Sequence, residues 1–332
     1  MTTQLGRGFW AELPKPFFVL APMANVTDAA FRRIIAKYSK IRHPMSDFVM
    51  YTEFVSADGL CRAGEEGRAK LMRDLLFTDA ERPIVAQFFT STPEHMEKAA
   101  ALAQELGFNG VDINMGCPDK TIEKQNAGAK LILNPERAQE LIAAAKRGAP
   151  NLPVSVKTRL GYNKDILEEW LPALLAAEPA AITVHARTRK EMSKVPARWE
   201  RVKRAVEIRN ELGSNTLIIG NGDIKDLEDA EKKVKGSGAD GAMLGRAIFG
   251  RPWLFSNSYE LENMPVVKKL IILAEHTRLF EELLGDIKSF SIMKKHFKAY
   301  CEGFPGAKEL RIQLMETSTA AEVEDIVKNF LS

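Results

Sequence analysis

Short apolar segments alternate with longer amphipathic segments over the first three quarters of the chain. The short segments are rich in β-branched and aromatic residues, which predicts that they are buried strands. Eight of them occur, at residues 18–23, 48–52, 84–88, 110–114, 154–157, 181–185, 217–220 and 241–245. Helical spacing of apolar residues between them predicts that strands and helices alternate.

Helix boundary signals support this alternation. Thr92 and Asn134 each precede a proline, the order expected where a capping residue is followed by the first helical position. Asp226 is expected to cap the helix that starts at Leu227, and Gly236 is expected to end it.

Eight strands with intervening helices predict a closed (β/α)₈ TIM barrel, an α/β fold, over residues 1–258. An open, doubly wound sheet is the alternative. The strand count and the polar residues that follow the strands both favour the barrel, because barrel enzymes place their active sites at that rim.

The pattern changes after about residue 255. From Val266 onward the apolar residues recur only at helical spacing, and the segment from Thr319 to Glu322 has the form of a capping box. We therefore predict a small helical domain over residues 259–332.

Composition narrows the function classes. The chain has 332 residues, a formal net charge of +3 and three cysteines, at positions 61, 117 and 301. Their wide spacing indicates neither a disulfide framework nor a metal site, so no metal is expected and a reducing cytoplasm is the expected location. The sequence shows neither a signal peptide nor an apolar run long enough to cross a membrane.

The segment from Asn114 to Pro118 is the strongest candidate for chemistry. Gly116 and Pro118 break regular structure around Cys117, directly after the fourth predicted strand. An isolated cysteine is usually a small buried hydrophobe. Its place at the mouth of a strand favours a chemical role here.

Cationic residues follow the fifth and sixth predicted strands. Lys157 and His185 end these strands, and Arg159, Arg187 and Arg189 come within a few residues of them. A lysine in an apolar strand is costly unless it is paired or meets a ligand. The group therefore indicates an anionic ligand.

Glycine-containing turns follow the last two strands, at Asn221-Gly222-Asp223 and Gly245-Arg246. In barrels the corresponding loops often bind phosphate. Residues 236–241 also match the pattern G-x-G-x-x-G, but they follow a helix and lead into a strand, the reverse of the order in a dinucleotide site.

Together these residues suit flavin mononucleotide (FMN). The phosphate would lie on the last two loops, Lys157 near the N1/C2 edge of the ring, and Gln87 and Asn114 at other ring edges. Cys117 would then lie on the substrate side and deliver a proton to a C=C bond that receives hydride from the flavin.

The chain resembles the tRNA-dihydrouridine synthases from about Val19 to Phe255, and more weakly to its end. The blocks that carry the resemblance are 21–23, 52–57, 114–118, 127–129, 156–159, 185–189, 220–223 and 245–247, in this order.

The resemblance implies an FMN-bound barrel that reduces the C5=C6 bond of uridines in tRNA, with NADPH or NADH as electron donor. It implies that Cys117 is the general acid for C5 and that the helical domain binds tRNA, with residues 292–300 as a basic helix. It implies FMN contacts at Pro22, Met23, Gln87, Lys157, His185, Asn221, Gly222, Asp223, Gly245 and Arg246, and tRNA or uracil contacts at Glu53, Asn114, Arg159 and Arg187.

Two other functions stay open at this stage. One is a dihydroorotate dehydrogenase-like enzyme acting on a free pyrimidine, against which the basic helical tail argues. The other is a tRNA-binding protein without activity, against which Cys117, Lys157 and the phosphate loops argue. Neither a membrane nor an obligate protein partner is expected, and the uridine position, oligomeric state and choice of reductant are left open.

Overall fold

A closed barrel of eight parallel strands forms the larger part of the protein. The computed structural model describes residues 6–39, 48–256 and 264–332. The strands pair in chain order and the eighth closes on the first, as predicted. They are β1 (Phe17–Leu20), β2 (Phe48–Ser56), β3 (Ile84–Phe89), β4 (Gly110–Met115), β5 (Val154–Arg159), β6 (Ala181–His185), β7 (Leu217–Asn221) and β8 (Gly241–Leu244).

Helices follow the strands and cover the outside of the barrel. They are α1 (Ala29–Ser39), α2 (Ala57–Arg62), α3 (Glu65–Asp74), α4 (Pro93–Glu105), α5 (Lys120–Glu123), α6 (Pro135–Gly148), α7 (Leu167–Ala176), α8 (Trp199–Glu211) and α9 (Leu227–Ser237). The strands are buried on both faces, which is why they read as continuous apolar runs in the sequence.

Several element ends differ from the prediction. Strand β1 stops at Leu20, whereas β2 continues to Ser56 through an irregularity in its pairing with β3 between Tyr51 and Phe54. The prediction that Gly236 ends α9 was wrong. The helix continues to Ser237 and Gly238 takes the left-handed cap position at φ 72°, a conformation that favours glycine.

The barrel interior is filled by apolar side chains at its N-terminal end and by polar ones above them. Trp10, held in a 3₁₀ turn before β1, packs against Phe17 and belongs to the apolar cluster inside the strands. Above it lie Tyr51, Asp112 and Ser155, all buried. This layer forms a floor beneath the cavity described below.

Within residues 264–332 the chain forms four α-helices: α10 (Val266–Leu284), α11 (Met293–Tyr300), α12 (Ala307–Glu316) and α13 (Ala320–Leu331). The predicted capping box starts α13, with Thr319 and Glu322 bonded reciprocally. Helix α10 packs on α1, where His276 stacks on Phe31 with ring centroids 4.7 Å apart. The predicted boundary at residues 258 and 259 lies outside the described residues. Every helix within the described ranges is too short or too polar to span a bilayer.

Candidate active site

A cavity of about 260 Å³ opens at the C-terminal ends of the strands. It gathers nine of the ten residues predicted to contact a cofactor; these are Pro22, Met23, Lys157, His185, Asn221, Gly222, Asp223, Gly245 and Arg246. Arg159 and Arg187, which the resemblance assigns to tRNA or uracil, line the same cavity. Gln87, the tenth predicted contact, is fully buried beside the floor.

A larger groove of about 560 Å³ lies at the opposite end of the barrel. Its cations, Arg7 and Lys146, donate to backbone carbonyls of the barrel rather than pointing to an open site. The cavity at the C-terminal ends is therefore the better candidate, although it is the smaller of the two.

Positive charge dominates the C-terminal cavity. Of the charged side chains that line it, Lys157, Arg159, Arg187 and Arg246 are cationic and Asp223 is anionic. Because low-dielectric walls strengthen electrostatic interactions, this lining favours an anionic ligand such as a phosphate ester.

Asp223 organises the loop after β7. It has left-handed backbone geometry at φ 49° and accepts hydrogen bonds from Arg187, Arg246 and the backbone N–H of Ala197. The hydrogen bond from the Arg187 guanidinium is the largest of the effects on the pKa of this carboxyl, and the pKa is lowered. Arg246, which is two-thirds exposed, is thereby oriented at the rim and keeps donors free for a ligand.

Gly222 lets the same loop approach β6 closely. Its φ is 125°, and a Cβ atom built there would lie 2.8 Å from the Cβ of Ala197 and 3.2 Å from the ring of His185. Any side chain would strain the backbone and displace one of these neighbours. The glycine therefore keeps this side of the cavity open.

His185 is neutral and its hydrogen-bonding partner assigns its tautomer. Burial, followed by the charges of Arg159 and Lys157, lowers the pKa of this imidazole well below its usual value. Its Nε2 lies 3.1 Å from Nη1 of Arg187, and an arginine can only donate. Nε2 is therefore the acceptor and Nδ1 carries the hydrogen.

Lys157 lies in β5, paired in register between Asn114 on β4 and Thr183 on β6. Burial, and then the positive charge of Arg159, lowers the pKa of its ammonium group to about 8. It remains largely protonated at neutral pH. Its charge is thus available to an electron-rich edge of a ligand, and proton uptake or loss is accessible near pH 8.

Cys117 is held in the loop after β4 by its backbone. Oδ1 of Asn114 accepts from the N–H of Cys117 at 2.9 Å and from that of Gly116 at 3.1 Å. The Cys117 carbonyl accepts from Ala129 N–H at 2.9 Å. Gly128 makes this approach possible, because a Cβ atom there would lie 2.8 Å from the same carbonyl.

The Cys117 thiol is half-buried against an apolar cluster. Phe54, Phe89, Ile122 and Ala127 pack together with it. Burial raises the pKa of the thiol. At neutral pH the group is therefore a thiol rather than a thiolate, so it has a proton to donate.

Arg159 uses most of its guanidinium N–H groups to bind backbone carbonyls of two loops. Its guanidinium donates to the carbonyl of Gly116 at 2.7 Å and to those of Thr188 and Met192 at 3.2 Å. It thus ties the Cys117 loop to the loop after β6. With these bonds made, its effect on a ligand comes mainly from its charge.

Glu53 faces the helical domain. One carboxylate oxygen accepts from Asn25 N–H and the other lies 2.5 Å from Nζ of Lys288, which is also 2.7 Å from Asp74. The helical domain is therefore anchored beside the loop that carries Pro22 and Met23. Lys288 was not predicted as a site residue, and a lone lysine in a polar loop provides no signal.

Asp112 was also missed. It is fully buried, accepts from Gln87 at 2.7 Å and from Ser155 at 2.6 Å, and burial raises its pKa to about 6. The sequence did contain a signal for Asp112. An acidic residue between Val111 and Ile113 lies in an apolar strand, and burying its charge costs free energy unless partners or a ligand compensate it.

The residues around the cavity fit a flavin with a phosphate tail. The cationic lining suits the phosphate, and Gly222 removes a side chain that would fill the cavity. Lys157 provides positive charge within the barrel mouth. No group of three or more potential metal ligands occurs within the described residues.

Comparison with solved structures supports the fold. Histamine dehydrogenase from Rhizobium sp. 4-9 aligns with a TM-score of 0.52 at 12% identity, over 79% of this chain and 48% of that one. At this level of identity the likeness concerns the fold alone.

Sequence comparison establishes the family. The model described as Dihydrouridine synthase (Dus) matches residues 19–332. A probable tRNA-dihydrouridine synthase of Staphylococcus aureus (strain MRSA252) is 39% identical over 97% of this chain and 95% of its own length. Probable tRNA-dihydrouridine synthase 2 of Bacillus subtilis (strain 168) is 40% identical over 97% of this chain and 96% of its own. The chain therefore belongs to the dihydrouridine synthase family, whose activity is the flavin-dependent reduction of uridine.

Proposed function

We propose that this enzyme reduces the C5=C6 bond of specific uridines in tRNA to 5,6-dihydrouridine, in the cytoplasm, with FMN as its flavin and NADPH or NADH as the electron donor. The observation that carries the proposal is a protonated, half-buried thiol in the loop after β4, close enough to Lys157 and Arg159 of the cation-lined cavity for their charges to act on its pKa. The relatives named as probable tRNA-dihydrouridine synthases support tRNA as the substrate.

FMN matches the charges of the cavity. Gly245 and Arg246 after β8, with Gly222 after β7, would hold its phosphate, and Pro22 and Met23 would lie against the ring. When bound, the flavin supplies the hydride that adds to C6 of the uracil. Lys157 would balance negative charge on the cofactor, and the neutral His185 would offer its Nδ1 hydrogen.

Cys117 would donate the proton that C5 receives. Its raised pKa keeps the proton on sulfur until the neighbouring carbon accepts hydride and C5 becomes basic. Asn114 and Arg159 would hold the thiol in place by binding the backbone on either side of it.

The helical domain would bind tRNA. Lys294, Lys295 and Lys298 lie on α11, and the last two are exposed. Lysines on one helix contribute affinity for phosphates without reading sequence. The target uridine would have to leave its base stack to reach the barrel mouth.

Activity on unmodified tRNA tests the proposal. Purified protein with NADPH is expected to form dihydrouridine, measured by mass spectrometry of digested tRNA. C117A should lower the rate by about 10²–10⁴-fold while retaining flavin, the range for loss of a general acid. C61A is the matched control, because Cys61 is also half-buried but lies on α2.

Three results would contradict the proposal. Wild-type rates for C117A would remove the thiol from the reaction. Reduction of a free pyrimidine without reduction of tRNA would favour the small-molecule alternative. Protein that cannot be reconstituted with FMN would exclude FMN as the cofactor.

A further inference from the structure

Four side chains form a continuous hydrogen-bonded chain from the floor of the barrel to the Cys117 loop. Oγ of Ser155 donates to Oδ1 of Asp112 at 2.6 Å, and Nε2 of Gln87 donates to Oδ2 of Asp112 at 2.7 Å. Nδ2 of Asn114 then donates to Oε1 of Gln87 at 3.1 Å. Oδ1 of Asn114 accepts from the backbone N–H groups of Gly116 and Cys117.

Barrel geometry brings these side chains together. Gln87, Asp112 and Ser155 are direct register partners on β3, β4 and β5. Asp112 and Asn114 are two residues apart on one strand, so both point into the barrel. The whole chain is buried, with Gln87 and Asp112 fully enclosed and Asn114 5% exposed.

The direction of every bond is determined by the ends of the chain. A carboxylate can only accept, so Gln87 must turn its NH₂ group to Asp112 and its oxygen to Asn114. Backbone N–H groups can only donate, so Asn114 must turn its oxygen to them and its NH₂ group to Gln87. Both ends therefore require the same arrangement, and reversing either amide would leave buried donors facing one another.

We infer that Asp112 is a positioning residue, which acts through Gln87 and Asn114 to hold the loop that carries the Cys117 thiol. The inference rests on the proposed role of Cys117 and adds a residue that does not touch the thiol. The side-chain amides of Gln87 and Asn114 each already use their oxygen and one N–H in these bonds. Both residues can therefore offer fewer hydrogen bonds to a ligand.

Alkylation of the thiol measures this role without tRNA. Iodoacetamide labelling of Cys117 in the flavin-bound protein, followed by peptide mass spectrometry across a pH series, reports thiol access and pKa together. Cys61 and Cys301 serve as internal controls, because a general loss of structure would change their labelling as well. Failure of tRNA reduction would leave this measurement interpretable.

The informative variants break the chain at different links. D112V removes the acceptor, and Q87M and N114A break the next two links. Each should raise Cys117 labelling about tenfold near neutral pH and move its midpoint toward the usual cysteine value, as expected for loss of one hydrogen bond. D112N removes the charge but keeps an oxygen for Gln87, so it should retain most of the protection.

Control and double variants complete the test. S155A removes the bond at the far end of the chain and leaves the links from Asp112 through Gln87 to Asn114 intact, so it should change labelling less than about twofold. Q87M/N114A should label no faster than N114A alone, because the two variants break one chain. If D112V does not fold, Q87M decides the question, because Gln87 is the side chain that links Asp112 to Asn114. Cys117 labelling in Q87M as slow as in the wild type would then overturn the inference.

Three outcomes would overturn the inference. One is normal Cys117 labelling in D112V. Another is labelling in D112N as fast as in D112V, which would assign the effect to charge. The third is a Q87M/N114A rate equal to the product of the two single effects, which would show that the links act independently.

Discussion

At the scale of single residues, burial determines the protonation of Cys117 and of two groups that line the cavity, Lys157 and His185. It raises the pKa of Cys117 and lowers those of Lys157 and His185. The same loss of water contact thus gives a thiol that keeps its proton and an imidazole that stays neutral. The charge that remains is on lysine and arginine, which suits an anionic cofactor.

The affinity for FMN should fall as Lys157 loses its proton. In the protein freed of flavin, the pKa of this lysine is lowered to about 8, so it is charged below that pH and neutral above it. We expect the FMN dissociation constant to rise between pH 7 and pH 9, measured by fluorescence titration. K157M should bind weakly at pH 7 and show no such rise.

Lys146 offers a matched control for this titration. Burial also lowers its pKa, but it lies at the opposite end of the barrel and donates to backbone carbonyls. K146M should keep the wild-type pH dependence. A profile in K157M that still followed wild type would show that another group causes the change.

At the scale of elements, the N-terminus of α1 contains a buried acid. Oδ1 of Asp28 accepts from Phe31 N–H at 3.0 Å, whereas Oδ2 is buried without a hydrogen-bond partner. Burial, and then the nearby charge of Glu53, raises the pKa of Asp28 to about 7. Above about pH 7 the Asp28 carboxyl that caps α1 therefore carries a buried negative charge, which destabilises the folded state.

Replacing Asp28 by asparagine should stabilise the protein at high pH. The folded state holds this proton up to about pH 7 and the unfolded state loses it near pH 3.8, so native Asp28 becomes destabilising as the pH rises through that interval. D28N should raise the melting temperature by roughly 2–4 °C at pH 8, the shift expected for about 1 kcal/mol. The difference should vanish near pH 4.

D226N provides the comparison, because Asp226 caps α9 through the Asp229 N–H and is only half-buried. Asparagine caps as well as aspartate, so little change is expected at either pH. A stabilisation by D28N that was the same at pH 4 and pH 8 would mean that the carboxyl charge is not its cause.

The elements themselves were largely predictable from the sequence. Eight apolar segments became eight strands, because strands buried on both faces need apolar residues at nearly every position. The ends of the elements were predicted less accurately. The extension of β2 to Ser56 depends on an irregularity in its pairing with β3. The local sequence of β2 contains no pattern that predicts this irregularity.

At the scale of the whole molecule, the helical domain is anchored to the barrel by buried charge. Nζ of Lys288 lies between Glu53 and Asp74, and its side chain is 13% exposed. The two carboxylates raise the pKa of the lysine, although burial alone would lower it. Lys295 adds a bond to the carbonyl of Asn25 at 2.9 Å.

Removal of the Lys288 charge should loosen this anchor. K288M leaves two carboxylates without their partner, and breaking a buried pair in this way costs about 3–5 kcal/mol. We expect a lower urea midpoint and faster proteolysis between the domains. E53Q/K288M should recover part of the loss, and K298M, at an exposed position, should have little effect; equal losses in K288M and K298M would contradict the anchor.

The salt dependence of tRNA binding tests the proposed role of α11. K294Q/K298Q should lower the slope of log affinity against log salt by roughly one to two units, since each phosphate contact contributes somewhat less than one. K232Q/K70Q is the matched control, with two exposed lysines of α9 and α3. An unchanged slope in K294Q/K298Q would remove α11 from the interface.

The sequence by itself determined which residues are available and where along the chain they lie. The strand ends carry Cys117, Lys157, His185 and the glycine loops, and because parallel strands end at one rim, their meeting there followed from the fold class. Only the tertiary structure decided that Lys288 pairs with Glu53, 235 positions away, and that Asp112 holds Gln87. Such partners depend on strand register and on how the helical domain packs, and these come from summed packing across the molecule rather than from any local pattern.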